Sequence, residues 1–214
     1  MDVSPQPAAG APAARGYHHG DLASALLDAA EQELATNGVE GFSLRGVAKR
    51  AGVSHAAPAH HFRDADGLLT ALAARGFERF VARQAQCRQQ ARRDPRAQLE
   101  ASGLGYVAFA LENPALLRLM FGSTRPDFAS EHLGRVAQAA FDDLVHHVAA
   151  VTGNANPPLR DRTVLADVSA VWALAHGLAD LLVAGRLPSL LALPEKAKHR
   201  AIVDILGRAL RTAP

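Results

Sequence analysis

Cysteine, aromatic side chains and net charge are all scarce in this chain of 214 residues. The single cysteine, Cys87, excludes an intramolecular disulfide framework and, alone, a thiolate metal cluster, which favours a reducing compartment such as the cytoplasm. Aromatics make up only 5% of the residues, β-branched runs are missing, and alanine and leucine abound. That balance favours helices, because alanine and straight-chain residues lose little freedom in them, so an all-α fold is expected. A net charge of +2 is too small to announce a nucleic-acid partner by itself. P-loop, dinucleotide fingerprint, nucleophile elbow and zinc-protease helix are also absent, so no enzyme class and no cofactor is implied.

What is present is 49% hydrophobic residues, enough for a sizeable core, arranged with helical periodicity. Residues 1–16, rich in proline and alanine without the apolar centre of a signal peptide, read as a mobile arm. The longest apolar stretch, Val164 to Gly185, contains Asp167, His176 and Asp180, which argues for a buried helix of a soluble protein rather than a membrane span. The pattern predicts helices over 21–36, 44–50, 55–62, 66–92, 96–112, 114–121, 127–151, 161–184 and 194–211, about nine in all, and no strands.

Charge is local: from Ser43 to Arg63 there are four basic residues, Arg45, Lys49, Arg50 and Arg63, and no acidic ones. The same segment reads as two short helices, each preceded by a serine (Ser43, Ser54) able to cap its first turn, with Ala51-Gly52-Val53 as the turn between them. Gly52 suits the left-handed conformation of a sharp turn, and Ala48 and Ala51 suit a close helix crossing. The second helix has no long side chain in its first turn, so its backbone would approach DNA closely, with Pro58 near its start and Phe62 as an anchor. The Ser54 and His55 N–H groups would then face a phosphate. Any two capped helices joined by a glycine turn give this spacing, so spacing alone leaves DNA binding and plain helix packing both open.

Residues Tyr17 through Leu69 narrow the choice. The lead-in Tyr17-His18-His19-Gly20-Asp21-Leu22, then Leu26-Leu27-Asp28-Ala29-Ala30, Gly41-Phe42-Ser43-Leu44-Arg45, Val47-Ala48, Ala51-Gly52-Val53-Ser54, His61-Phe62, Asp64 and Leu68-Leu69 together resemble the TetR family of transcriptional regulators. Trp172, His176 and Gly177 resemble the W-x-x-x-H-G signature of one class of TetR C-terminal domain. The resemblance implies a helix-turn-helix domain over 17–66, a helical ligand-binding and dimerisation domain over 67–214, and a homodimer on a roughly palindromic double-stranded operator. It implies a repressor released by a small-molecule effector, and places Arg45, Ser54, His55, Ala56, Ala57, His60 and His61 at the DNA face. Two departures bear on affinity: Ala59 stands where many relatives have tyrosine, and Ala65 where many have lysine, both common phosphate contacts. His60 and His61 would compensate if phosphates favoured their charged forms, giving stronger operator binding as pH falls from 8 to 6.

In the C-terminal part, Trp172 and His176 lie four apart on one helix face, with Leu165, Val168 and Ser169 one or two turns earlier. They are the first candidates for a small-molecule site, with Phe109, Met120, Phe121 and Phe141, and with Tyr106 and Leu116, as further walls; a packed core with one bonded histidine has the same pattern. The resemblance places the dimer interface on the last two long helices, where Ala173, Gly177, Ala184 and Gly207 would permit close packing. The run Arg75, Arg79, Arg83, Arg88, Arg92, Arg93, Arg96 is either an attraction toward DNA or a solvated face. Asp143 with His146 and His147 is half of a carboxylate–histidine metal site lacking its other half, and adjacent histidines point about 100° apart, so no metal site is expected. The competing reading is a helical small-molecule-binding protein with weak or lost operator specificity.

Overall fold

The computed structural model describes residues 19–153 and 161–209, all-helical with connecting turns. Ten helices follow in order among them: α1 (His19–Asn37), α2 (Leu44–Ala51), α3 (Ala57–Phe62), α4 (Ala65–Gln89), α5 (Pro95–Glu112), α6 (Pro114–Gly122), α7 (Glu131–Thr152), α8 (Arg162–Val183), α9 (Pro188–Leu191) and α10 (Glu195–Ala209). The extra helix relative to the sequence expectation is α9, a single turn after Leu187 in the stretch expected to be a break. The expected N-terminal arm lies outside the described residues.

Local chemistry sets most of the boundaries. Ser43 accepts the Gly46 N–H to cap α2, Asp64 caps α4 through Gly67 N–H, Asp94 caps α5 through Ala97 N–H, and Asp161 caps α8 through Thr163 and Val164 N–H. Prolines open α5, α6 and α9, where a missing N–H has no carbonyl to lose. Three expectations shift, the first being α4, which ends at Gln89 rather than at residue 92. Helix α7 begins at Glu131 because residues 127–130 form a turn closed by Ser130 on the Asp127 carbonyl. Helix α3 begins at Ala57, not His55, and Ser54 does not cap it: its carbonyl instead accepts the Ala57 N–H in the preceding turn.

One hydrophobic cluster runs through the molecule. Leu26, Ala30 and Leu34 of α1, Val47 of α2 and Leu68, Leu69 and Leu72 of α4 belong to it; farther along, so do Phe77 and Phe80 of α4 with Tyr106, Val107, Phe109, Leu119, Leu178 and Ile202. Helix α4 therefore belongs to both halves of the core. A smaller cluster, Leu99, Val148, Val164 and Val168, joins α5, α7 and α8.

The arginine run is committed to these junctions. Arg75 pairs with Asp28 at 2.5 Å and Arg79 with Glu31 at 2.7 Å, tying α4 to α1. Arg83 pairs with Glu112 at 2.9 Å and Arg88 with Asp143 at 2.8 Å, tying α4 to α5 and α7, while Arg92 and Arg96 pair with Asp94 and Glu100. All six meet carboxylates, four of them across helix junctions and Arg92 and Arg96 locally, so the run is not an unpaired basic face toward DNA, and Asp143 is occupied by Arg88.

Helix α8 departs from its expected burial. Val164, Val168, Ala175, Leu178, Ala179 and Leu182 face inward, yet Leu165, Ala166, Ala170, Ala173, Leu181 and Ala184 are open to solvent. It is the one helix among the described residues long and apolar enough to cross a membrane by length and composition. A Cβ on Gly177 would meet nothing within 4 Å, so that glycine is on the open face. Gly207 is not: a Cβ there would come 2.6 Å from Glu100 Oε1, and its carbonyl accepts Arg96 Nη2 at 2.7 Å, so Gly207 serves packing within the chain.

Candidate DNA-binding face and ligand cavity

Helices α2 and α3 form a helix-turn-helix. At the end of α2, Gly52 has φ 68° and ψ 31°, the left-handed conformation that closes the turn, and Val53 N–H bonds the Ala48 carbonyl at 3.1 Å. The unit is held to α1 by Glu33, whose side chain is 5% exposed and accepts Arg50 Nε at 2.7 Å, with the Ser43 hydroxyl 3.4 Å away. Gly46 is small because a Cβ there would collide with the Glu33 carboxylate.

Helix α3 buries Pro58 and partly buries Phe62, and turns its other side outward. Of the candidate DNA residues, Arg45, Ser54, His55, Ala56 and His60 are exposed and Ala57 and His61 half-buried, all on or beside these two helices. Lys49 is also exposed, whereas Arg50 is taken by Glu33. Ala59 is half-buried, and Ala65 opens α4. After α3 the chain reverses at Arg63, whose φ of 70° and ψ of −63° accompany an Asp64 N–H to Phe62 carbonyl bond of 2.9 Å, a strained three-residue turn at an exposed side chain.

The second feature is a cavity of about 800 Å³ among α4, α5, α6, α7 and α8, open to solvent on one side, with Leu206 of α10 at one wall. Trp172, His176, Met120, Phe121 and Phe141 line it, as does Tyr106. Phe109 does not: it is 1% exposed and packs edge-on behind Phe80, with centroids 5.4 Å apart, so the outward neighbour takes the wall and Phe109 is core. Leu116 is core in the same way, Val168 lies in the smaller cluster, Leu165 faces solvent, and Ser169 reaches the wall. Residues that sequence reasoning missed are Phe77, Phe80 and Phe128, with Gln84, Ser102 and Gln138. Phe77 and Phe80, three apart on the apolar stripe of α4, carried a readable signal; Phe128 sits in a loop without periodicity.

At the centre of the wall, Tyr106 Oη and His176 Nδ1 are 2.7 Å apart. Burial pushes the Tyr106 phenol far up, opposed in part by the Trp172 indole beside it, so the group stays protonated. Phe121 lies 5.6 Å from His176 and 6.2 Å from Trp172 between ring centroids, and Phe141 lies 6.2 Å from Trp172. His147 Nδ1 turns to the carbonyl of Asp143 at 2.8 Å.

A helix-turn-helix joined through a shared helix to a helical body with an aromatic cavity defines the class of helix-turn-helix transcriptional regulators. Comparison with known proteins makes this specific. Residues 26–72 match the family model "Bacterial regulatory proteins, tetR family", and residues 99–212 match "Tetracyclin repressor-like, C-terminal domain". The chain belongs to the TetR family of transcriptional regulators. Among curated relatives, the HTH-type transcriptional regulator BetI of Burkholderia ambifaria is 38% identical over 183 residues, 74% of this chain and 92% of the relative. A solved structure of a protein of unknown function from Rhodococcus sp. RHA1 is 37% identical, with a TM-score of 0.70 over 91% of this chain and 98% of its own. A TetR family transcription regulator from Marinobacter aquaeolei VT8, 17% identical, shares the fold with a TM-score of 0.66 over 88% of this chain and 94% of its own.

Proposed function

We propose that this regulator is a ligand-responsive repressor that binds a palindromic operator as a homodimer and is released when a small molecule fills the cavity. The observation that carries the reading is the sharing of α4: Leu68, Leu69 and Leu72 hold the helix-turn-helix, and Phe77 and Phe80, one to three turns later, meet the cavity side. A ligand displacing the phenylalanines would act on the element that positions α3. The change is a population shift: a ligand that binds better when α4 is displaced favours dimers whose two recognition helices no longer match successive major grooves.

The open apolar face of α8 supports the dimer, with α10 beside it as the second interface helix. Apolar residues on one long stripe are stabilised by a second copy of the same face, as two-fold interfaces require. Arg45, Ser54, His55, Ala56, Ala57, His60 and His61 would then meet DNA, Arg45 and the backbone positioning the chain on phosphates and the α3 side chains reading base edges.

Selection of bound sequences from random duplex DNA by the full chain, then binding to the best site at several salt concentrations, tests the reading. A palindrome bound with a steep inverse salt dependence is expected. Weak, sequence-indifferent binding would instead favour a small-molecule-binding protein that has lost operator specificity, the outcome toward which Ala59 and Ala65 point.

A further inference from the structure

The walls of the cavity carry chemical information about its occupant. Among the described lining residues there is no lysine, arginine, aspartate or glutamate. The ion pair that touches the wall, Arg88 with Asp143, is closed on itself and on the Ser102 hydroxyl, so neither charge is offered inward. A charged group placed against the inner wall would lose part of its hydration without gaining a Lys, Arg, Asp or Glu counter-charge. The wall is rich in rings packed on one another: Phe80 and Phe121 are 5.9 Å apart, and Phe121 and Phe141 each lie 6.2 Å from Trp172, a continuous aromatic surface for a flat molecule to lie against.

Among the polar lining groups, which include Gln84, Ser102 and Gln138, one donor is set directly between the rings. Within the apolar wall the Tyr106 hydroxyl has His176 Nδ1 as its acceptor at 2.7 Å, and an imidazole that accepts on Nδ1 carries its own proton on Nε2. The opposite tautomer would leave the phenol proton without an acceptor among the described residues. His176 Nε2–H makes no hydrogen bond among the described residues and is free for a ligand.

We propose that the cavity binds an uncharged, planar aromatic molecule bearing a hydrogen-bond acceptor such as a ketone, with that acceptor on His176 Nε2. This rests on the reading of the cavity as the effector site. The cavity volume of about 800 Å³ holds a molecule of drug-like size.

Four probes of nearly one shape separate the terms: 2-acetylnaphthalene, 2-isopropylnaphthalene, 2-naphthoate and trimethyl(2-naphthyl)ammonium, each titrated into the full chain by calorimetry. Trp172, the sole tryptophan of the chain, reports by its emission whether the cavity is filled. The ketone is expected to bind at least tenfold more tightly than either ion and several-fold more tightly than the isopropyl compound. In His176→Phe the last preference disappears and the discrimination against ions stays. Naphthoate or the ammonium ion binding as tightly as the ketone would overturn the proposal, as would equal binding of ketone and hydrocarbon by the unaltered protein, or no binding of any probe. Operator binding is assayed separately, so a failed effector role and a failed ligand preference give different results.

A different set of contacts carries a second inference. In the loop between α6 and α7, Ser123 and Phe128 line the cavity while the residues between them reach the DNA-binding half. Arg125 Nε donates to Asp66 Oδ1 at 2.7 Å, at the start of α4, and Arg125 Nη1 donates to the Val39 carbonyl at 2.8 Å, between α1 and α2. Asp127 N–H donates to Thr70 Oγ1 at 2.9 Å, and Pro126 is buried between them. We infer that this loop is a coupling strap, with Arg125 the positioning residue that joins cavity occupancy to the seating of the helix-turn-helix. Because coupling is reciprocal, operator DNA must weaken cavity binding by the factor by which ligand weakens operator binding. The affinity for 2-acetylnaphthalene is therefore measured with and without a saturating selected operator duplex. A weakening of fivefold or more is expected in the unaltered protein and less than twofold in Arg125→Gln, whose affinity for the probe without DNA stays within twofold. Equal coupling in the two proteins overturns the strap. An absence of coupling in both removes the effector role itself.

Discussion

Two side chains show how one residue's surroundings fix its chemistry. Cys87 is half-buried beside Arg83, whose Nη1 lies 3.4 Å from Sγ. Burial pushes its thiol up and Arg83 only partly opposes the shift, so at neutral pH it holds less thiolate than a free cysteine. Its alkylation by iodoacetamide should be slower than that of a cysteine-containing peptide at pH 7 and should accelerate as pH rises toward the elevated pKa. A rate equal to the peptide's would contradict the burial. Glu33 is the buried charge that seats the helix-turn-helix. Glu33→Ala should destabilise the protein by about 1–2 kcal/mol, less than for a fully buried pair because the Arg50 side chain, 31% exposed, still reaches water. Urea unfolding measures this.

Among the helices, the crossing of α4 and α5 is the junction on which cavity and DNA-binding half both depend. Gly105 permits it: a Cβ there would lie 2.5 Å from Gln84 Cα and 3.1 Å from the Arg83 carbonyl, backbone atoms that cannot swing aside. Gly105→Ala should therefore force the helices apart and destabilise by about 2 kcal/mol, visible as a lowered Tm. Gly76 is a gentler case, since its Cβ would meet the flexible Met120 thioether at 2.6 Å. The helix boundaries themselves were legible: apolar periodicity, with the Ser43 cap and the proline breaks, placed α2, α5, α6 and α8 within a residue or so of their observed ends. The start of α3 was not, because Ser54 looks like a cap in sequence but spends its carbonyl on the turn that precedes the helix.

At the scale of the whole molecule, the open face of α8, with Leu165 and Leu181 exposed, is an unanswered apolar surface among the described residues. If it is the two-fold interface, Leu181→Glu, at a side chain 45% exposed in the single chain, should shift the protein toward monomer in sedimentation, weaken operator binding by at least tenfold and lower Tm, while the helix content in far-UV circular dichroism stays unchanged. An unaltered dimer would move the interface elsewhere.

The sequence by itself determined the class. Periodic apolar stripes, caps and a glycine turn are local properties, so the all-helical order and the helix-turn-helix could be read along the chain, and the TetR resemblance rested on contiguous residues from Tyr17 to Leu69. Tertiary structure alone decided which aromatic side chains face the cavity, because the face a helix turns inward depends on what packs against it. Phe80 stands in front of Phe109, so the nearer ring lines the wall and the farther one is core. It also decided the fate of the arginines, seven residues that look like one charged face in sequence: six meet carboxylates on neighbouring or local segments at distances no spacing rule could supply. The link from Arg125 to Val39 joins residues 86 positions apart, and only the folded chain brings them within a hydrogen bond.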